Sequence, residues 1–171
     1  MSLRKPAATD GPAVSALIAA SPPLDANSAY CNLLQCTDFA DSCAVAECDG
    51  ALVGWVSGYR VPQSPETLFV WQVAIAAAMR GHGLAGRMIE ALLARPQQHG
   101  VTHITTTITQ DNRASWALFE GLARRWNVLI EKTARFEREP HFAGAHTTEW
   151  QARLGPLPHL AAATEEGTLT A

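Results

Sequence analysis

The sequence predicts an α/β (α+β) domain in which a mixed sheet of six or seven strands is flanked by helices, and three observations carry that prediction. Between Cys43 and Ile75, a hairpin signal and a following apolar run read as an antiparallel meander of three strands. Two strand-to-helix units come next, the first joined by the glycine-rich string Arg80-Gly81-His82-Gly83-Leu84-Ala85-Gly86 and the second opened by Asp111 and Asn112. The third observation is size: 171 residues, 47% hydrophobic and 17% charged, suit one domain with an apolar core and leave little room for another.

Each element has its own local signal. Leu3 to Ala7 reads as a short strand, after which Thr9 or Asp10 caps a helix with Pro12 in its first turn and Val14, Leu17 and Ile18 along one face. Ser21, Pro22 and Pro23 end that helix, because proline cannot donate to the helical ladder and pushes its predecessor out of helical geometry. Asp25 to Asn27 is expected to cap a second helix carrying Tyr30, Leu33 and Leu34. Cys43 to Cys48 and Ala51 to Val61 then pair across Asp49 and Gly50, a turn that needs positive φ. After a connection over Pro62 to Glu66, Thr67 to Ile75 (TLFVWQVAI) reads as a central strand buried on both faces.

Gly83 to Arg95 sets Leu84, Met88, Ile89 and Leu92 on one helical face and is halted by Pro96. Val101 to Thr109 is dominated by β-branched residues, and Ala114, Trp116, Leu118, Phe119 and Leu122 mark the helix after it. Two last strands are expected over Val128 to Phe136 and Thr147 to Leu154. From Gly155 onward the composition lacks core residues, which predicts a domain over residues 1–154 and a mobile tail over 155–171.

Composition excludes several function classes. A net charge of −3 supplies no broad positive field for a nucleic acid. Pro6, Asp10, Gly11 and Pro12 interrupt the N-terminus before a signal-peptide core forms, and no later apolar run approaches the roughly 18 residues of a membrane span, so a cytoplasmic protein without membrane contact is expected. The spacing of Cys31, Cys36, Cys43 and Cys48 matches neither zinc knuckles nor a disulfide scaffold, and reads as free, packed thiols. His141 and His146 are not spaced for one helical face, and no metal site is expected.

The glycine string is the most informative stretch. Glycines between a strand and a helix permit close backbone approach, and the free amides of the helix start carry partial positive charge, a combination suited to a pyrophosphate. The alternative is a glycine-rich helix start with no ligand. Arg87 and Met88 stand where a Walker loop needs lysine followed by serine or threonine, and the loop follows the fourth strand rather than the first, as a dinucleotide fold would require.

In element order and in two motifs the chain resembles the GNAT superfamily of N-acetyltransferases. Arg80, Gly83 and Ala85 fit the superfamily's acetyl-CoA loop, and Asn112, Ser115, Leu118 and Phe119 fit the start of its next helix. The resemblance implies a sheet splayed between its fourth and fifth strands, with the backbone of Val73, Ala74 and Ile75 pairing with the pantetheine arm of acetyl-CoA. It also implies that Arg80, Gly81, His82, Gly83, Leu84, Ala85 and Gly86 hold the pyrophosphate, and that Asn112 lies near the pantetheine. The tyrosine that often protonates the leaving thiolate in this superfamily falls at Phe119, which has no acidic proton.

A narrower resemblance, over roughly Leu3 to Leu154, is to the family of L-2,4-diaminobutyrate acetyltransferases of ectoine biosynthesis. It rests on the strings Pro22 to Ser28 with Tyr30, Thr67 to Val73, and Asn112 to Ser115. It implies acetylation of the γ-amine of that small amino acid, direct transfer in a ternary complex, an oxyanion held by a strand amide near Val73 or Ala74, and a homodimer. Such an amine, of pKa near 10.4, is neutral only about one part in a thousand at pH 7.4, so a base or water relay must deprotonate it. Asp25 and Glu149 are the candidates for orienting the amines, Trp71 for walling the pocket, and Tyr30, Tyr59 or His146 for donating a proton. On the residues alone, Asp25 also reads as a helix cap, Glu149 as an exposed strand residue and Trp71 as core. Two other functions fit the same motifs: acetylation of another small amine, and acyl-CoA sensing without chemistry.

Overall fold

The computed structural model describes residues 1–158, so most of the expected tail lies outside the described residues. One mixed sheet runs through it, formed by β1 (Ser2–Arg4), β2 (Ala44–Cys48), β3 (Ala51–Val61), β4 (Ser64–Ile75), β5 (His103–Thr109), β6 (Ile130–Phe136) and β7 (Glu149–Leu154), in the order β1-β2-β3-β4-β5-β7-β6. Helices α1 (Gly11–Ala19) and α2 (Ala29–Cys36) lie on one side, where Val14, Ile18 and Cys36 pack with Val45, Trp55 and Ala74. On the other side α3 (Leu84–Leu93) and α4 (Arg113–Trp126) bury Met88, Ile89, Phe119 and Leu122 against Val70, Ile104 and Ala152. A short helix, α5 (Arg138–Phe142), unforeseen in the sequence, links β6 to β7.

Several expected boundaries move, each for a local reason. Strand β1 ends at Arg4 rather than Ala7, and the Arg4 guanidinium bridges the Asp10 carboxylate at 2.8 Å and Glu47 on β2 at 3.0 Å. Asp10 is the residue before α1 but does not cap it, because its carboxylate is taken by Arg4 and by the Ala7 N–H. The second helix is capped by Ser28, whose Oγ accepts the Cys31 N–H at 3.1 Å, and not by the expected Asp25 to Asn27 segment. Asp49 and Gly50 take the positive φ angles of 51° and 78° that the β2–β3 hairpin demands. The β3–β4 turn is tighter than expected: Val61 pairs with Ser64, so β4 begins before Thr67.

A bulge in β4 sets up the site. Ser57 pairs with Gln72 and Gly58 with Val70, which leaves Trp71 as the extra residue on β4. The alternation flips there: Leu68 and Val70 before it, and Val73 and Ile75 after it, all pack toward α3 and α4, while Ala74 packs toward α1. The expected burial on both faces therefore fails at Trp71, which is 47% exposed.

Beside the bulge the sheet divides. Strands β4 and β5 pair in parallel only from Thr67 to Phe69 against His103 to Thr105. Past Phe69, β5 continues its pairing with β7 while β4 keeps only β3, which leaves one edge of β4 open.

Candidate active site

A cleft of about 500 Å³ occupies the opening, lined by Val73 and Ile75 of β4, by the turn from Arg80 to Gly86, by Asn112, Ser115 and Leu118 of α4, and by Pro22 and Leu24. Backbone alternation identifies which amides face it. The Ala76 N–H donates to Val53 O at 2.9 Å across β3, and the Gln72 N–H donates to Ser57 Oγ at 3.2 Å. Ala74, between them in the alternation, also turns its backbone toward β3, so the peptide groups of Val73 and Ile75 face the opening. This removes Ala74 from the expected open edge; its side chain is buried on the α1 side.

The glycine turn is built as an amide cradle. Gly81 and Gly83 hold φ of 80° and 70°, where side chains with a Cβ are strained. Gly83 is the N-cap of α3 and no side chain caps that end, which leaves the first amides of the helix for another acceptor. Arg80 braces the entrance: its Nε donates to Ile75 O at 2.9 Å and its Nη2 lies 3.5 Å from Ser21 Oγ. His82 does not line the cleft; it contributes its carbonyl, which accepts from Arg87 Nη1 at 2.6 Å. Asn112 does line it and caps α4, accepting the Ser115 N–H at 3.1 Å. Phe119 is buried in the core on the α3 and α4 side, so the side chain that α4 turns to the cleft one position earlier is Leu118.

Around the open ends of β5 and β7 the fold gathers acids from distant segments. His146 Nε2 lies 3.9 Å from both Asp25 Oδ2 and Glu149 Oε1, so the two expected carboxylates meet at one imidazole. Glu149 is 19% exposed and Asp25 89%. Burial pushes the Glu149 carboxyl above its ordinary range; His146 and a hydrogen bond with Thr107 oppose the rise, and the nearby Asp25 and Asp111 charges add to it.

A buried amide chain fixes the Asp25 segment. Gln72 Nε2 donates to Asp25 O at 2.8 Å, its Oε1 accepts from Asn27 Nδ2 at 2.8 Å, and Asn32 Nδ2 donates to Ser15 Oγ at 2.8 Å beneath them. None of Gln72, Asn27 and Asn32 is expected from sequence as a site residue: Asn27 reads as part of a helix cap, Gln72 as part of an apolar strand, and Asn32 carries no signal. Trp71 stands edge-on to Tyr59 with ring centroids 6.4 Å apart, and Tyr59 tilts against Phe69 at 5.1 Å. Tyr30 is 71% exposed on the first turn of α2.

Residues 14–123 match the acetyltransferase (GNAT) family model. The chain belongs to the GNAT family of acetyltransferases. As expected for a GNAT enzyme, it has one mixed sheet, flanked by helices and splayed between its fourth and fifth strands. The GNAT chain is similar to the L-2,4-diaminobutyric acid acetyltransferase of Methylotuvimicrobium alcaliphilum, with 50% identity over 157 residues that cover 92% of this chain and 91% of the relative. It is similar also to the enzyme of that name from Halomonas elongata, at 46% identity over 156 residues covering 91% and 81% of the two chains. Among solved structures, the diaminobutyrate acetyltransferase of Paenibacillus lautus, in complex with its substrate L-2,4-diaminobutyric acid and coenzyme A, shares the fold with a TM-score of 0.86 and 40% identity over 91% of this chain and 94% of that one. Among the described residues no helix is long and apolar enough to cross a membrane.

Proposed function

We propose that this enzyme transfers the acetyl group of acetyl-CoA to the γ-nitrogen of L-2,4-diaminobutyrate, the acetylation that leads to ectoine. The observation that carries the reading is the juxtaposition of two half-sites: an open β4 edge continuing into glycine amides, and a partly buried carboxylate beside His146, on a residue that pairs with the end of β5, the strand that parts from β4. The half-identical relatives of the same name support the choice of amine.

The cradle fits a phosphorylated thioester substrate. The uncapped amides after Gly83 suit the pyrophosphate, the peptide groups of Val73 and Ile75 suit the amide-bearing arm, and Asn112 borders its path. On the amine side, Glu149 serves as proton acceptor, since burial raises its basicity, and His146 links it to Asp25, which attracts the second ammonium. Trp71, held against Tyr59, walls the substrate, and Tyr30, exposed on the first turn of α2, is the phenol assigned to the amine side. The neutral γ-amine attacks the acetyl carbonyl directly, and the Val73 N–H, rather than that of Ala74, stabilises the oxyanion, a choice supported by the turn of the Ala74 backbone toward β3. With Leu118 and Phe119 in place of a phenol, the thiolate departs without a tyrosine; a thiol of pKa near 8.5 needs little help.

A cytoplasmic homodimer belongs to the same proposal, with the exposed edge strand β6 and its Phe136 as the surface that supports pairing. Light scattering then gives twice the chain mass. The activity itself is tested with a thiol-detecting dye and a panel of small amines. L-2,4-diaminobutyrate should release free coenzyme A fastest. Rapid release with a polyamine alone would reassign the amine, and binding of acetyl-CoA without any release would make the protein a sensor.

A further inference from the structure

The proposed substrate carries a carboxylate as well as two ammonium groups, yet the residues assigned to it above are acidic or neutral. A fixed cation set apart from the acidic side chains would match that carboxylate most strongly. Arg135 has that position. It is the looped-out residue of a second bulge, between the pairs Ala134 with Trp150 and Phe136 with Glu149. Its guanidinium carbon lies 5.3 Å from the Phe69 ring centre and 5.2 Å from that of Phe136, and its Nη1 donates to Gln151 Oε1 at 3.1 Å. Phe69 is the last β4 residue paired with β5, so the guanidinium sits where the sheet begins to divide.

Among the described residues no carboxylate comes within ion-pair distance of Arg135. By contrast Arg153 on β7 pairs with Glu131 at 3.6 Å and Arg138 with Glu139 at 3.5 Å. Gln151 and Glu149 share the face of β7 opposite the buried Ala152 and Leu154, one strand repeat apart, about 6.8 Å. The carboxyl carbon and γ-nitrogen of an extended diaminobutyrate are four bonds, roughly 5 Å, apart. With its Nη1 on Gln151, one strand repeat from Glu149, the guanidinium is offset from that carboxylate by a span of the same order as the substrate. Aromatic rings over the guanidinium leave its N–H edges for the two-point grip that carboxylates favour.

We infer that Arg135 binds the α-carboxylate of the amino-acid substrate and thereby selects an amino acid over a plain diamine, an inference that rests on the substrate proposed above. Anchoring the carboxylate also holds the α-amine beside it and sends the γ-amine toward Glu149.

The test compares L-2,4-diaminobutyrate with 1,3-diaminopropane, the same diamine without the carboxylate, in the wild type, Arg135→Met and Arg135→Lys, with coenzyme A affinity as the check on folding. The wild type should prefer the amino acid by about 100-fold in kcat/KM, and Arg135→Met should bring that ratio to within about threefold of one, mainly through a higher KM for the amino acid. If Arg135→Met fails to bind coenzyme A, Arg135→Lys decides: a ratio reduced by about tenfold supports the inference and an unchanged ratio overturns it. A wild-type ratio kept by a folded Arg135→Met, or a wild type that favours neither amine, also overturns it. A wild type inactive on L-2,4-diaminobutyrate but active on other amines would instead remove the substrate assignment, and this inference with it.

Discussion

Glu149 and Asp25 come from opposite ends of the chain, and only the fold brings them to His146. Because burial raises the Glu149 carboxyl, the residue accepts a proton only above a pH higher than the ordinary 4.5, and activity should fall as the pH drops through that raised value. Glu149→Gln is expected to lower kcat by about 10²- to 10³-fold and to erase this acid limb, which a pH profile of kcat would reveal. Stability should move the other way. The folded state holds this proton more tightly than the unfolded chain, so ionisation costs stability as the pH rises from about 4.5 through the folded value, and Glu149→Gln should raise Tm at neutral pH in a calorimetric scan. At this scale the sequence named both carboxylates but not their meeting at one imidazole, nor the amides behind them. Spacing along a chain says nothing of a contact made by residues as distant as Asp25, Gln72 and Glu149.

The elements that were legible are those with local chemistry. Asp49 and Gly50 need positive φ for their hairpin, the glycines open α3, and Asn112 caps α4, each through contacts a few residues long. The bulge at Trp71, the insertion of β7 between β5 and β6, and the short α5 are set by pairing between distant strands, and no local pattern encodes them. Two substitutions separate the half-sites. Gly83→Ala forces a Cβ onto a φ of 70°, and should raise KM for acetyl-CoA about tenfold with the amine KM little changed. Gln72→Leu removes the donor to Asp25 O and the acceptor for Asn27, and should raise the amine KM by a similar factor while acetyl-CoA affinity stays near wild type. Equal loss of both affinities in either variant would mark a general folding defect instead.

Across the whole molecule, one sheet holds two cores apart; the ligand cleft follows the open edge of β4, and the acid cluster gathers where Glu149 of β7 pairs with Thr109 at the end of β5. The cysteines belong to the packing rather than the chemistry. Burial pushes the Cys36 and Cys43 thiols up to about 11 and about 12, so at pH 8 both should resist a disulfide reagent until the protein is unfolded, when all four thiols react. On the proposed function, the opening between β4 and β5 presents a thioester to the γ-amine of diaminobutyrate. The most direct measurement of that transfer is the NMR spectrum of the product made from L-2,4-diaminobutyrate and acetyl-CoA carrying a ¹³C carbonyl. One new amide is expected, with the labelled carbonyl coupled to the γ-nitrogen proton; an α-amide, or no amide while free coenzyme A accumulates, would overturn the proposed transfer.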